Sequence, residues 1–259
     1  MSATTVLITG ASGGIGYELA KLFARDHHNL VLVARSTDKL ARVATELQAH
    51  GVTVKTMALD LAAPPAPKFL FDQLQREGIT VDILINNAGF GAYGEFAQIP
   101  EAEILGQIDL NITALTALTR LFLPAMIDRR GGRIMNVAST AAFQPGPLLA
   151  VYYATKAYVL SFSEAIANEV RHTGVTVTCF CLGATFTGFA QRAGMESSRL
   201  FKVSAMSADK VALDGYRAVM EGRTLAISGA HNWLVAQSTR FAPRRMVTAV
   251  SRWIAEKAS

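Results

Sequence analysis

Short unbroken apolar runs alternate with longer stretches of helical period along most of this chain. Thr4–Thr9, Leu30–Ala34, Val52–Leu59, Val81–Asn86, Arg133–Ala138 and Val175–Leu182 read as strands, with a short seventh at Thr224–Ile227. Helices are predicted between them at Gly14–Arg25, Thr37–His50, Ala62–Gly78, Pro100–Arg129, Leu149–His172 and Ala208–Gly222. Strands apolar throughout are buried on both faces, and strands joined by helical crossovers run parallel. The pattern restricts the chain to the α/β class. The expectation is a single doubly wound domain over 1–259, a parallel sheet with helices on both faces. A hydrophobic content of 51% against 17% charged residues is enough for such a core.

The turn after the first strand reads TGASGGIG, Thr9 to Gly16. Glycines at 10, 14 and 16 permit a tight turn and close approach of backbone to a pyrophosphate, and the helix that follows offers free N–H groups to an anion. The spacing is G-x-x-x-G-x-G rather than G-x-G-x-x-G, and the strand-turn-helix context gives it its weight. At the end of the second strand, where an acid would accept from a ribose hydroxyl, the chain has Ala34, then Arg35 and Ser36. A guanidinium grips a phosphate with two hydrogen bonds, so NADP(H) is expected over NAD(H). The competing reading leaves Arg35 solvated, with Ser36 or Thr37 capping the next helix. Asp60 and the segment Asn86, Asn87, Ala88 and Gly89 close the third and fourth strands, where ligands of such sheets bind.

The fifth strand ends at Ser139, a Pro-Gly-Pro loop follows, and the next helix carries Tyr152 and Lys156. Residues four apart share a helix face. An ammonium beside a phenol favours the phenolate. Bringing a tyrosine from about 10 to about 7 takes roughly 4 kcal/mol. A unit charge about 4 Å away at an effective dielectric of about 20 supplies roughly that. Taken alone, such a pair is more often an aromatic in the core and a lysine in water.

Charge and cysteine usage narrow the alternatives. A net charge of +5 suits anionic partners, but the basic residues are dispersed except near the C-terminus, so nucleic acid is not expected. Cys179 and Cys181 point the same way on a strand, which predicts two buried thiols rather than a disulfide. The histidines show no metal-ligand spacing, and no metal is expected. No run of about 18 to 20 consecutive apolar residues occurs, and the N-terminus lacks a basic leader. The expected location is the cytoplasm.

TGASGGIG, Asp60, NNAG, Asn111, Ser139 and Tyr152-x-x-x-Lys156, in this order and spacing, resemble the short-chain dehydrogenase/reductase family over essentially the whole chain. The resemblance implies a Rossmann-type domain around a seven-stranded parallel sheet. Gly10, Ser12, Ile15 and Gly16 would lie along the cofactor pyrophosphate and nearby ribose, Asp60 at the adenine, and Asn87, Ala88 and Gly89 on the adenosine side. Ser139 would hydrogen-bond the substrate oxygen, and Tyr152 would be general acid in reduction and base in oxidation. Lys156 would bind the nicotinamide ribose and lower the tyrosine pKa, while Asn111 would hold, through its backbone, a water of a proton relay. Gly183 and Thr187 would meet the nicotinamide end, although Leu182 stands where the family often has proline. Members commonly form dimers or tetramers, here through Pro100–Arg129 and Leu149–His172.

The substrate wall is expected from Phe90, Tyr93, Ala141, Phe143, Tyr153, Phe186, Phe189 and Met195, under an irregular lid over about 187–206. Its apolar character favours a ketone, aldehyde or acyl-linked carbonyl over a polyol. A C-terminal helix over about 243–257 is amphipathic and basic. Docking onto the protein is the first expectation for it, and weak contact with an anionic membrane the second. Three functions fit: an NADP(H)-dependent carbonyl reductase or alcohol dehydrogenase, a non-catalytic NADP(H)-binding regulator, and an epimerase or dehydratase. The complete Ser139, Tyr152, Lys156 and Asn111 set argues against the regulator, and the third usually needs a larger substrate domain.

Overall fold

The computed structural model describes residues 4–194, 198 and 205–256. Its strands are β1 (Thr5–Thr9), β2 (Asn29–Ala34), β3 (Val54–Ala58), β4 (Ile83–Asn86), β5 (Gly132–Ser139), β6 (Val175–Leu182), β7 (Thr185–Phe186), β8 (Met206–Ser207) and β9 (Leu225–Ile227). Seven of them form one sheet in the order β3-β2-β1-β4-β5-β6-β9. Every pairing in it is parallel. The order reverses between β1 and β4, which opens a crevice at the carboxyl ends of those strands. This is the doubly wound α/β fold expected from the sequence.

The main helices are α1 (Gly14–Arg25), α2 (Thr37–Gln48), α3 (Ala66–Arg76), α4 (Glu101–Ile108), α5 (Leu115–Asp128), α6 (Ala150–Glu169), α7 (Gly188–Ala193), α8 (Ala208–Met220), α9 (Ala230–Ser238) and α10 (Arg244–Ala255). Alternate strand residues feed two cores. Val6, Ile8, Leu30 and Leu32 pack under α1, α2 and α8, while Leu7, Val31 and Leu84 pack with α3 and α5. Burial on both faces is why these strands read as unbroken apolar runs.

Three differences from the sequence reading bear on the site. The long helix predicted over Pro100–Arg129 is broken by a π-helical stretch, Asp109–Ala114, which contains Asn111. By length and mean hydropathy the helical run Glu101–Asp128 could cross a membrane; here Leu118, Phe122 and Met126 are buried in the core on one face of the sheet. The segment expected as an irregular lid pairs β7 with β8 and begins with α7, and most of its remainder lies outside the described residues. The sequence reading had no element corresponding to α9.

A buried polar chain ties the central strands to the helices beside the crevice. Asn86 Nδ2 donates to Asn136 Oδ1 at 2.9 Å and to Thr119 Oγ1 at 3.2 Å, and Asn136 Nδ2 donates to Ser163 Oγ at 3.0 Å. These bonds fix β4, β5, α5 and α6 in register with one another. Removing a member leaves buried polar partners unpaired. Asn136→Ala is expected to cost about 2 kcal/mol in urea unfolding with the slope unchanged.

Candidate active site

The carboxyl ends of β1, β4, β5 and β6 border a cavity of about 800 Å³. At one end lie Gly10, Ser12, Gly13, Gly14 and Ile15; at the other lie Ser139, Tyr152, Lys156 and Gly183. The glycines are there for measurable reasons. Gly10 has φ +68°, and a Cβ on it would stand 2.8 Å from Asn87 Nδ2. Gly14 has φ +55°, and a Cβ on it would press at 3.2 Å on Thr187. Gly16 does not line the cavity; a Cβ there would strike Asn87 Nδ2 at 2.6 Å, so it permits α1 to pack against the turn. No side chain caps α1 and no acid stands in its first turn, so its N–H groups face the glycine cradle without a competing carboxylate.

Thr9 closes the seam between β1 and β4. Its Oγ1 donates to Ile85 O at 3.3 Å and accepts from the backbone of Asn87 and Ala88, each at 3.0 Å. Asn87 Nδ2 donates to Thr9 O at 2.8 Å. Asn87, Ala88 and Gly89 therefore run along the cavity wall. Arg35 is exposed at the end of β2, and Ser36 Oγ accepts from Lys39 N at 3.4 Å as the cap of α2. Lys39, which the sequence reading missed, lines the cavity. The signal for it was position: it sits in the first turn of α2, next to Arg35. Asp60 is exposed, caps its own turn by accepting from Ala62 N at 3.1 Å, and lies outside the cavity lining.

At the other end, α6 presents Tyr152 and Lys156 on its buried face. Ser139 hydrogen-bonds the Tyr152 hydroxyl and also accepts from Ala141 N at 3.1 Å. Lys156 Nζ donates to Val137 O at 2.7 Å and lies 5.7 Å from the centre of the Tyr152 ring. Asn111 stands behind them. Its Nδ2 donates to Phe90 O at 2.9 Å and to Thr155 Oγ1 at 3.1 Å, and its Oδ1 accepts from Phe90 N at 3.1 Å. A Cβ on Gly89 would meet both Asn111 Oδ1, at 3.0 Å, and Lys156 Nζ, at 3.5 Å. The π-helical stretch thus places Asn111 to clamp the segment after β4 against α6, and such stretches occur frequently at functional sites.

The expected direction of the tyrosine shift is reversed in this structure. Burial pushes Tyr152 well above the ordinary phenol range, and the Ser139 hydrogen bond only partly opposes this. The ammonium bonds a carbonyl instead of the phenol, so desolvation outweighs its field. Burial likewise lowers Lys156 to about 8. Cys179 and Cys181 are free buried thiols 3.8 Å apart, as expected.

Of the expected substrate wall, Ala141, Tyr153 and Phe189 line the cavity. Tyr93 packs behind Tyr152 and Tyr153, Phe143 joins a core cluster with Val159, and Phe186 is exposed. Phe90 lies against Gly106, and Met195 lies outside the described residues. The missing wall comes from elsewhere: Leu149, Ala184, Val235, Trp253 and Ile254. Gly183 is glycine because Asn232 of α9 packs on it; a Cβ would stand 2.7 Å from Asn232 Oδ1. α10 is held there by Arg252 Nη2 bonding Glu95 Oε1 at 2.7 Å.

The chain matches the model of the short chain dehydrogenase family over residues 4–197. It is 36% identical to a ketoacyl reductase, HetN, of Nostoc over 71% of this chain and 64% of the relative. It is 34% identical to a very-long-chain 3-oxoacyl-CoA reductase of Mycosarcoma maydis over 68% of this chain and 51% of that one. The matches thus span about half to two thirds of these relatives' lengths. A solved short-chain dehydrogenase from Sphingobium yanoikuyae in complex with NADPH superposes with a TM-score of 0.83 and 34% identity, covering 92% of this chain and 94% of that one. A bulky-bulky ketone specific alcohol dehydrogenase from Comamonas testosteroni superposes at 0.79 with 28% identity, covering 93% of each chain.

Lys156 binds its proton less tightly in the folded chain than when unfolded, so it opposes folding at neutral pH by about 3 kcal/mol. That penalty is full below about 8 and disappears as pH rises toward the unfolded value of 10.5. Lys156→Met is therefore expected to melt about 5 °C higher at pH 7 without ligand. The difference from the wild-type protein should narrow in melts taken at pH 9 and 10. A variant that melts lower than wild type at pH 7 would contradict the assignment.

Proposed function

Because the chain belongs to the short chain dehydrogenase family, we propose that it is an NADP(H)-dependent oxidoreductase acting on an apolar carbonyl/alcohol pair. The observation that carries this reading is the placement of Ser139, Tyr152 and Lys156 at one end of a cavity whose other end is the glycine cradle of α1. The cradle fits a dinucleotide: α1 opens on it with uncapped N–H groups and no acid in its first turn, and Ser12, Gly13 and Gly14 line the cavity there. The nicotinamide supplies or accepts the hydride when bound.

The chain's own residues supply the rest. Tyr152 keeps its proton through neutral pH because its site is desolvated, which suits donation to the oxygen of a carbonyl as negative charge develops there. Ser139 holds that oxygen and the phenol in line. Lys156 would hold a ribose hydroxyl of the cofactor beside its Val137 carbonyl partner, and its positive charge would favour return of the tyrosine to phenolate during turnover. Asn111 positions α6 through Thr155, whose hydroxyl in turn donates to Tyr152 O at 2.7 Å.

Lys39 in the cavity lining and the exposed Arg35 outside it, at the end of β2 where no acid stands, support a 2′-phosphate and hence NADP(H). The wall formed by Ala141, Leu149, Tyr153, Phe189, Trp253 and Ile254 supports a bulky apolar substrate. The names of the similar ketoacyl, 3-oxoacyl and bulky-ketone enzymes point to the same class. Leu105 and Ile108, exposed on α4, support self-association through that helix.

Tyr152→Phe is expected to lower ketone reduction by at least about 100-fold, while NADPH binding by fluorescence titration changes less than about threefold. Turnover retained in that variant would remove the catalytic assignment. Binding of NADPH by the wild-type protein with no turnover across a broad carbonyl panel would return the regulator reading. Replacing Arg35 and Lys39 by alanine should weaken NADPH about 10- to 100-fold and leave NADH unchanged.

A further inference from the structure

We infer that the outer face of α9 and α10, with the turn between them, is a docking surface for an anionic lipid bilayer. The packing of α10 is inverted relative to an ordinary surface helix. It buries Ser251 and Ala255 against the protein and turns Met246 and Val250 outward, 61% and 53% exposed. On α9, Trp233 and Leu234 are also exposed, and Phe241 at the tip of the turn is 88% exposed. These large apolar side chains, exposed within residues 233–250, mark a contact site.

Charge identifies the contact. Between Ser228 and Ala255 the chain carries four arginines and no acid. Arg252 is engaged by Glu95 and Glu256. Arg240, Arg244 and Arg245 are exposed and form no ion pair among the described residues. A two-fold contact between copies would set this patch against itself, arginine against arginine, with no acid of the patch free to separate them. A bilayer with anionic headgroups satisfies both features at once. Aromatic and aliphatic side chains reach below the headgroups while guanidinium groups remain at the phosphates.

The surface is continuous with the cavity. Val235 and Ile254, from the same two helices, line it. Resting on the reading of an apolar carbonyl substrate, docking sets the mouth of the site beside the lipid, so that a substrate dissolved there enters without crossing water.

The test is sedimentation of the 259-residue chain with vesicles of phosphatidylcholine alone, and of phosphatidylcholine mixed with phosphatidylserine, at low and high salt. Binding is expected to the mixed vesicles and to weaken with salt. The triple variant Arg240→Glu, Arg244→Glu, Arg245→Glu should bind them about 100-fold more weakly, since each arginine near such a surface contributes roughly fivefold. Phe241→Ser, Met246→Ser, Val250→Ser should lose binding as well, with melting temperature and NADPH affinity unchanged. Absence of binding to either vesicle, or binding that ignores phosphatidylserine and both variants, overturns the proposal. A doubled mass in light scattering that both variants abolish assigns the face to a second copy instead. Sedimentation involves no turnover, so its outcome is independent of whether a carbonyl is reduced.

Discussion

An ammonium buried against one backbone carbonyl is the constraint on which the functional end of this molecule depends. Lys156 is 5% exposed and donates to Val137 O at 2.7 Å. That bond holds only if α6 lies at a fixed height over the end of β5. The height is set by polar contacts together with the packing of Val159 on Ala138, Cys179 and Cys181. Asn136 binds Ser163 further along α6, and Asn111 binds Thr155 one residue before the lysine. Both bonds are buried, so neither can be exchanged for water without leaving a group unpaired. The same desolvation that makes Lys156 costly raises Tyr152, so one environment favours the neutral form of both side chains.

The opposite end of the cavity is governed by closeness of backbone rather than by charge. β1 and β4 diverge after Thr9 and Asn86, and the gap is spanned by Thr9 and Asn87 side chains bonding main-chain groups. Gly10 and Gly16 lie against those same groups. A methyl at Gly16 would force α1 away from the turn and carry the helix N-terminus with it. The position of that helix N-terminus thus depends on residues outside the cavity lining.

The sheet, the glycine turn and the Tyr152–Lys156 face were legible because each is a local pattern. Period, spacing and turn chemistry determine them within a few residues of sequence. What escaped depends on tertiary geometry. The sequence shows that Tyr152 and Lys156 share a face, but the effect of the lysine on the phenol depends on the distance between them and on burial, and here burial prevails. The π-helical stretch around Asn111 has no signature in a helix read by its apolar period. Phe143 was as aromatic and as near in sequence to the site as Tyr153, yet one feeds a core cluster and the other the cavity. Lys39 was hidden because its function comes from the direction of α2, not from a motif.

The C-terminal segment docks onto the protein as expected, but with its faces divided differently from its apolar stripe. Its apolar stripe predicts a face turned toward the protein, and the structure turns toward the protein Ser251 and Ala255 instead. The reason lies in what is beneath. Beneath α10 lies the cavity, which Ser251, Trp253 and Ile254 line. Small residues let α10 close over the cavity, clasped to Glu95 through Arg252, while Ile254 at its edge still reaches the wall. Trp253 and Ile254 border the cavity, and Met246 and Val250 are left facing outward. A roof that borders the cavity with part of its apolar stripe therefore carries the rest of it on its outer surface, among the exposed arginines Arg240, Arg244 and Arg245.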